Sequence, residues 1–262
     1  MKRSMNNEIY FVNSFTDEVF SGNPAGVVFH EKKIDINLMQ KIAAENNLSE
    51  TAFIELPTKK ILFFTPIMEV DLCGHATLAS AFIFFNFIDQ NSKEINFQSK
   101  RGELRAIKKD EKIQMELPRD FPKPSEDLDL IQSSVNSEVL ELYKGVDDYL
   151  AVVDSEDEVL NLDLDFEVIK TFDSRGLIIS SIGSDVDFVS RWFGPQTGVD
   201  EDPVTGSAHT LLTPYWAKRL NKTRMEASQL SKRGGNLSCE LKDSSVLISG
   251  KAKLYLRGEY FS

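Results

Sequence analysis

The sequence predicts an α+β protein built from two similar halves, and three observations carry that prediction. The stretch Asp71-Leu72-Cys73-Gly74-His75-Ala76-Thr77 has a partial echo at Asp202-Pro203-Val204-Thr205-Gly206-Ser207-Ala208-His209, and sliding Gly74 onto Gly206 also sets His75 on Ser207 and Ala76 on Ala208. Each stretch follows a polar, turn-rich approach and leads into residues of good helix propensity, Leu78 to Phe82 in one case and Leu211, Leu212 and Tyr215 to Lys218 in the other. Around both, apolar runs recur in one order: strand, strand, helix, strand, strand, loop, glycine-started helix, strands. The offset is almost half of the 262 residues. A duplicated unit follows, each copy with one long helix for its own strands to wrap around.

In chain order, Glu8–Asn13 reads as the opening strand and Asp17–Asn23 as a turn-rich loop, with Ala25–Phe29 a second strand. A helix starts at Asp35, capped by that residue or by Asn37, with Leu38, Ile42 and Ala43 inward, and runs out near Glu45-Asn46-Asn47. Strands follow at Ala52–Leu56 and Ile61–Phe64, then a helix at Thr77–Phe87, then strands at Glu94–Gln98, Gly102–Lys108 and Lys112–Leu117. Phe121-Pro122-Lys123-Pro124-Ser125 is the best linker, which places an N-terminal half at 1–120 and a C-terminal half at 121–262, with the final strand free to return to the first. The second half reads as strand Tyr149–Val153, a short helical segment at Phe166–Thr171, strands Gly176–Ser180 and Asp187–Phe193, and a loop at Gly198–Thr205. The second helix comes next, and strands Leu237–Leu241, Ser245–Ser249 and Ala252–Leu256 close the chain.

Composition narrows the function classes. Hydrophobic residues are 41% of the chain and include 18 Phe, ample for a core. With 30 Lys and Arg against 41 Asp and Glu the formal charge is −11, which opposes binding to nucleic acid or to anionic membranes. An anionic substrate must then be held by local dipoles. Two cysteines, Cys73 and Cys239, build no disulfide framework and suit a reducing compartment. Met1 to Glu8 lacks the apolar run of a secretory leader, and Ala76–Ile88, the most apolar stretch, is too short and too interrupted to span a bilayer. The expectation is a cytoplasmic protein.

A glycine opening a helix lets a ligand approach the first backbone N–H donors, which have no partner inside the helix. Two such starts suit one carboxylate-bearing ligand, although ordinary helix starts share the pattern. The titratable candidates nearby are Glu50, Asp71, Cys73, His75, Asp202 and His209. Glu50, between Ser49 and Thr51 where a helix has ended and a strand begins, either caps backbone donors or faces a pocket. A helix N-terminus disfavours an imidazolium, so His75 fits a neutral donor or proton relay. Only three histidines occur, His30, His75 and His209, without i,i+4 spacing, and Cys73-Gly74-His75 alone completes no tetrahedral shell. Ser207 lies in no nucleophile elbow, and no phosphate loop or dinucleotide fingerprint occurs.

Ser21-Gly22-Asn23-Pro24-Ala25-Gly26, Asn47-Leu48-Ser49-Glu50-Thr51, Asp71 to Thr77, Glu201 to Ala208 and Gln229 to Gly235 together resemble the signatures of the phenazine biosynthesis-like protein family, which includes trans-2,3-dihydro-3-hydroxyanthranilate isomerase. The motifs occur in the family's order and cover almost the whole chain. The resemblance implies a diaminopimelate epimerase-like fold: two pseudo-symmetric halves, each a barrel-like, mostly antiparallel sheet around a central helix, with the active site in the cleft between them. It makes Glu50 the general acid/base, with His75 and Asp202 as its catalytic companions. Asn23, Ser49, Asp71, Gly74, Gly206 and Ser207 become substrate contacts, the backbone amides at Gly74, His75, Gly206 and Ser207 holding a carboxylate. It implies a homodimer and neither metal nor organic cofactor.

Two departures bear on the substrate. Cys73 and Ala76 stand where the phenazine isomerases have alanine and proline, which points to the broad branch of unassigned substrate. Cys73 also sits where related epimerases and racemases keep one of two catalytic thiols, but Asp202-Pro203 occupies the region of the second. The expectation is a cofactor-independent isomerase that shifts a proton within a small carboxylate. Its rivals are an epimerase or racemase using Cys73, and a non-catalytic binding protein.

Overall fold

The computed structural model describes residues 7–261, so the opening segment read for a leader, apart from its last two residues Asn7 and Glu8, lies outside the described residues. Strands dominate, with two long buried helices, and the chain divides into two compact units. One runs through Glu116 and resumes at Ser249; the other is Leu117–Ile248.

In the first unit, β1 (Glu8–Ser14) and β2 (Asn23–His30) pair antiparallel around a hairpin loop. Gly22 closes that loop at φ +66°, where a Cβ would lie 2.2 Å from the Ser14 carbonyl oxygen, so only glycine fits. Helix α1 (Ile36–Asn46) starts at Asp35, whose side chain accepts from the Asn37 amide, and ends at Asn47 in the left-handed region. It buries Met39, Ile42 and Ala43 against Ile9, Val28, Phe53 and Phe64. β3 (Glu50–Glu55) then runs parallel to β2, with Ala25 opposite Glu50. β4 (Lys60–Phe64) returns antiparallel and carries the short β5 (Glu69–Val70) on its flank.

Helix α2 (Gly74–Ile83) is the centre of this unit, nine of its ten residues being buried against β1, β2, β3 and neighbouring strands. Thr77 was the expected start. The helix opens three residues earlier because Cys73 takes the extended cap conformation and its carbonyl accepts from both the amide and the hydroxyl of Thr77. Its end widens into a π-turn, Phe84–Ile88, where Phe84 and Phe85 go into the core. β6 (Glu94–Ser99), β7 (Gly102–Lys109) and β8 (Lys112–Pro118) form a meander, β6 touching β4 in the parallel sense.

The second unit begins with β9 (Lys123–Pro124), a two-residue strand inside the expected linker, which pairs with β10 (Glu141–Lys144) after a short helix, α3 (Leu128–Gln132). β11 (Asp148–Val152) is antiparallel to β10. Two more short helices, α4 (Glu156–Leu160) and α5 (Phe166–Ile169), precede β12 (Gly176–Ile182), which is parallel to β11, and β13 (Phe188–Gly194), antiparallel to β12. The expected loop at Gly198–Thr205 contains a strand, β14 (Val199–Asp202), added to the edge of β13. One 3-10 turn (Gly206–Ala208) leads into α6 (His209–Leu220). Pro214 sits inside α6, and the Thr210 carbonyl that lacks its amide accepts instead from the Asp120 N–H at 3.2 Å. β15 (Arg224–Gln229), parallel to β13, was not foreseen; its alternation is carried by Met225 and Ala227 among polar residues. β16 (Gly235–Leu241) and β17 (Ser245–Gly250) complete the unit.

The last strand, β18 (Ala252–Glu259), pairs antiparallel with β1 of the first unit along its length. The order of pairing senses is common to both units. β1-β2-β3-β4-β6-β7 and β10-β11-β12-β13-β15-β16 each step antiparallel, parallel, antiparallel, parallel, antiparallel. Among the described residues no helix is long and apolar enough to cross a membrane.

Buried polar groups in α6 give a stability prediction. His209 is fully buried beside Phe188, its Nδ1 held by the Thr205 carbonyl at 2.9 Å, and burial pushes its pKa down to about 4. The unfolded chain takes up this proton near pH 6.5 and the folded chain resists until about pH 4. Unfolding is therefore favoured progressively as the pH falls between those values, by up to ~3 kcal/mol. Urea unfolding at pH 7 and pH 4.5 should show a smaller acid loss for His209→Leu than for the parent; equal losses would exclude His209 as the cause.

Candidate active site

Residues from three strands meet at the start of α2. Ser14 and Asn23, register partners across β1 and β2, both hold His75: Ser14 Oγ donates to its carbonyl at 2.8 Å, and Asn23 Nδ2 lies 3.0 Å from its Nδ1. Nε2 of the same ring faces Glu50 Oε2 at 3.1 Å. Glu50 comes to that point because α1 ends at Asn47, only three residues earlier, and β3 begins at once. The contact with His75 is close but not collinear, and no hydrogen bond of good geometry reaches the buried Oε2.

Cys73 is the third member. Its sulfur lies 3.4 Å from His75 Nδ1. Burial, and then the Glu50 charge, push the thiol up to about 11, so at neutral pH it is un-ionised. For His75, burial pulls the pKa down, but its neighbours Cys73 and Glu50 outweigh burial and carry it well above the ordinary value. With Cys73 a thiol, the Glu50 carboxylate is the charge that keeps a proton on the ring. Helix position alone predicted a neutral imidazole; a carboxylate 3.1 Å away reverses that. The donor atoms of Glu50, Cys73 and His75 lie within 4.8 Å of one another, a spacing that also suits a cation. Three donors leave a shell incomplete, and a protonated imidazole and an un-ionised thiol are poor ligands, so the set favours proton transfer.

Of the other candidates in this unit, Gly74 is the buried first residue of α2, and Ser49 is half-buried immediately before Glu50. Asp71 is exposed, 3.8 Å from Lys100, and is not among the partners of the cluster.

The second unit holds its own polar cluster at the start of its long helix. Asp202, half-buried at the end of β14, accepts from Thr205 Oγ1 at 2.6 Å. Gln229 clamps that turn: its Oε1 accepts from the Thr205 amide at 2.8 Å and its Nε2 donates to the Asp202 carbonyl at 2.7 Å. Ser231 Oγ donates to the Pro203 carbonyl at 2.8 Å, which accounts for the Gln229-Leu230-Ser231 motif. Gly206 is buried and Ser207 half-buried in the 3-10 turn.

Sequence reasoning missed Arg175, Asp148 and Trp192. Arg175 Nη1 donates to Ser207 Oγ at 2.9 Å, and its Nε and Nη2 grip the two oxygens of Asp148. Trp192 Nε1 donates to the same carboxylate at 3.1 Å, and its ring lies under the guanidinium. Gly176 makes room for that indole, since a Cβ would stand 2.5 Å from it. Burial raises the Asp148 carboxyl against the pull of Arg175, yet three N–H donors on its two oxygens are the pattern of a carboxylate. The Arg175-Gly176 step ahead of an apolar strand was the available signal.

A carboxylate, an imidazole and a thiol thus meet at one helix start. Residues 12–258 match the phenazine biosynthesis-like protein family, and the chain belongs to it. It is 44% identical over 252 residues to an uncharacterized isomerase of Pseudomonas aeruginosa, covering 95% of this chain and 97% of that one. A crystal structure of a PhzF-family phenazine biosynthesis protein from Enterococcus faecalis is 42% identical, with a TM-score of 0.94 over 98% of this chain and 99% of that one. A probable proline racemase from Agrobacterium radiobacter K84, crystallised with bound carbonate, shares the fold at TM-score 0.64 and 9% identity, over 98% and 93% of the two chains.

The His75 environment is open to direct measurement. In Glu50→Gln the buried ring loses its carboxylate, so its pKa should drop from above to below about 6.5. A histidine-selective NMR titration reads this; an unchanged value would mean that Glu50 does not hold the proton there.

Proposed function

We propose that this protein is a cofactor-independent isomerase that shifts a proton within a small carboxylate-containing substrate, with Glu50 as the general acid/base. The observation that supports it most is the Glu50 carboxylate, with a buried oxygen lacking a hydrogen bond and an imidazole 3.1 Å away. A base that abstracts a proton from carbon needs an unoccupied lone pair, shelter from water and a nearby cation for the charge it relinquishes and recovers. His75 supplies the cation and passes orientation from Asn23. The amides of Gly74 and His75, first in α2, are donors for the charge that develops on the substrate. Asp202, fixed by Thr205 and Gln229, is assigned to substrate orientation, and Gly206 and Ser207 to the substrate carboxylate. The relatives named as isomerases support the reaction class.

A thiol racemase is the less favoured reading. Cys73 at about 11 holds almost no thiolate to act as base at neutral pH, and Cys239, buried in β16, is pushed up to about 12.

The deciding experiment follows solvent deuterium into a panel of small cyclic and unsaturated carboxylates by NMR. For any substrate found, Glu50→Gln should slow exchange by roughly two to four orders of magnitude with the fold intact, while Cys73→Ala keeps most of the rate. Exchange that survives in Glu50→Gln but disappears in Cys73→Ala would replace this mechanism with the thiol one.

A further inference from the structure

The shared order of pairing senses makes positions in the two units comparable. β3 begins with Glu50 beside β2, and β12 begins with Gly176, directly after Arg175, beside β11. Each long helix follows a short edge strand, β5 or β14, and His75 and Ser207 occupy matching places just after the opening glycine. Each unit then shows the same kind of contact: a side chain at the foot of the strand reaches the second residue of the helix start. In the first unit this is Glu50 to His75. In the second it is Arg175 to Ser207.

The chemistry at the second contact is inverted. Arg175 occupies an oxygen lone pair of Ser207 with an N–H, so the Ser207 hydroxyl must donate its own proton elsewhere. No acceptor for that proton occurs among the described residues. A hydroxyl that accepts from a guanidinium is polarised and becomes the stronger donor. Asp148 is nearly fully buried and fixes the guanidinium from the far side with a two-point grip, while Trp192 supports both. The pair is close to neutral overall, so its effect on a ligand passes through Ser207 rather than through a bare positive charge.

We infer that Arg175 is a positioning residue that sets the Ser207 hydroxyl as an obligate hydrogen-bond donor to a carboxylate oxygen of the ligand. Gly206 and Ser207 as carboxylate contacts belong to the isomerase reading, on which this inference rests for the identity of the anion. Arg175, Asp148 and Trp192 as the device that fixes the donor go beyond it.

The probe is anthranilate, a small cyclic carboxylate, against its neutral amide, anthranilamide, both titrated by calorimetry. The parent should prefer the carboxylate, and Ser207→Ala should cut that preference by roughly tenfold to a hundredfold. Arg175→Met alone strands a buried carboxylate and risks unfolding, so Arg175→Met/Asp148→Asn removes the pair together and keeps an acceptor for Trp192. This double variant, checked for an intact melting transition, should lose about the same preference, and Ser207→Ala added to it should cost little more. A merely structural Arg175 would give additive losses, or no loss in the double variant. Either result, or a parent without preference for anthranilate, overturns the inference. Glu50→Gln separates the two readings: it should retain the anthranilate preference, and retained deuterium exchange there would sink the isomerase mechanism while leaving the role of Arg175 standing.

Discussion

The first unit is arranged around one charge contact in a nearly dry setting, His75 Nε2 against Glu50 Oε2, with side-chain exposures of 5% and 19%. Burial alone would drive the imidazole toward its neutral form, and its neighbours outweigh that. The contact exists only if both side chains are delivered to within about 3 Å, and that demand falls on the backbone. The β1–β2 register provides Ser14 and Asn23 as a facing pair. The parallel step from β2 to β3 brings Glu50 alongside, and the early start of α2 puts His75 in its first turn. A one-residue slip of β2 would turn Asn23 to the other face and leave the ring unheld.

That dependence explains which parts of the protein were legible in its sequence. The continuous apolar run in Glu8–Ser14 and the alternation of Lys112–Pro118 are local properties, and so is the Asp35 cap of α1. The motif carrying Gly22 was legible because its positive φ permits no other residue. Elements held by partners were harder. β14 is polar and forms only because β13 offers an edge, and β15 carries too few apolar residues to announce itself. The start of α2 was misplaced because its cap is a cysteine whose backbone, not side chain, does the work.

The candidate site divides the same way. Glu50, His75 and Asp202 were marked by motifs, and the structure gives Glu50 and His75 to one another and Asp202 to Thr205. The protonation of His75 could not be read from a helix position, because it depends on a carboxylate twenty-five residues away in sequence. Arg175, Asp148 and Trp192 escaped for a related reason. Each is unremarkable in its own stretch, and only the strand register and the space left by Gly176 make them a cluster.

Cys73 shows how a shared fold permits chemistry that the local environment then selects. A thiol can abstract a proton from carbon when a positive neighbour or a helix start holds it as thiolate. Cys73 has both, an imidazole at 3.4 Å and a place at the head of α2. It also has Glu50, which competes for the same imidazole from 3.1 Å away. The carboxylate wins on cost, since ionising the thiol would put a second negative charge into the same buried space. The thiol is therefore left as a polarisable wall against the ring, and in the mechanism proposed above the proton is moved by Glu50 at the foot of β3 instead.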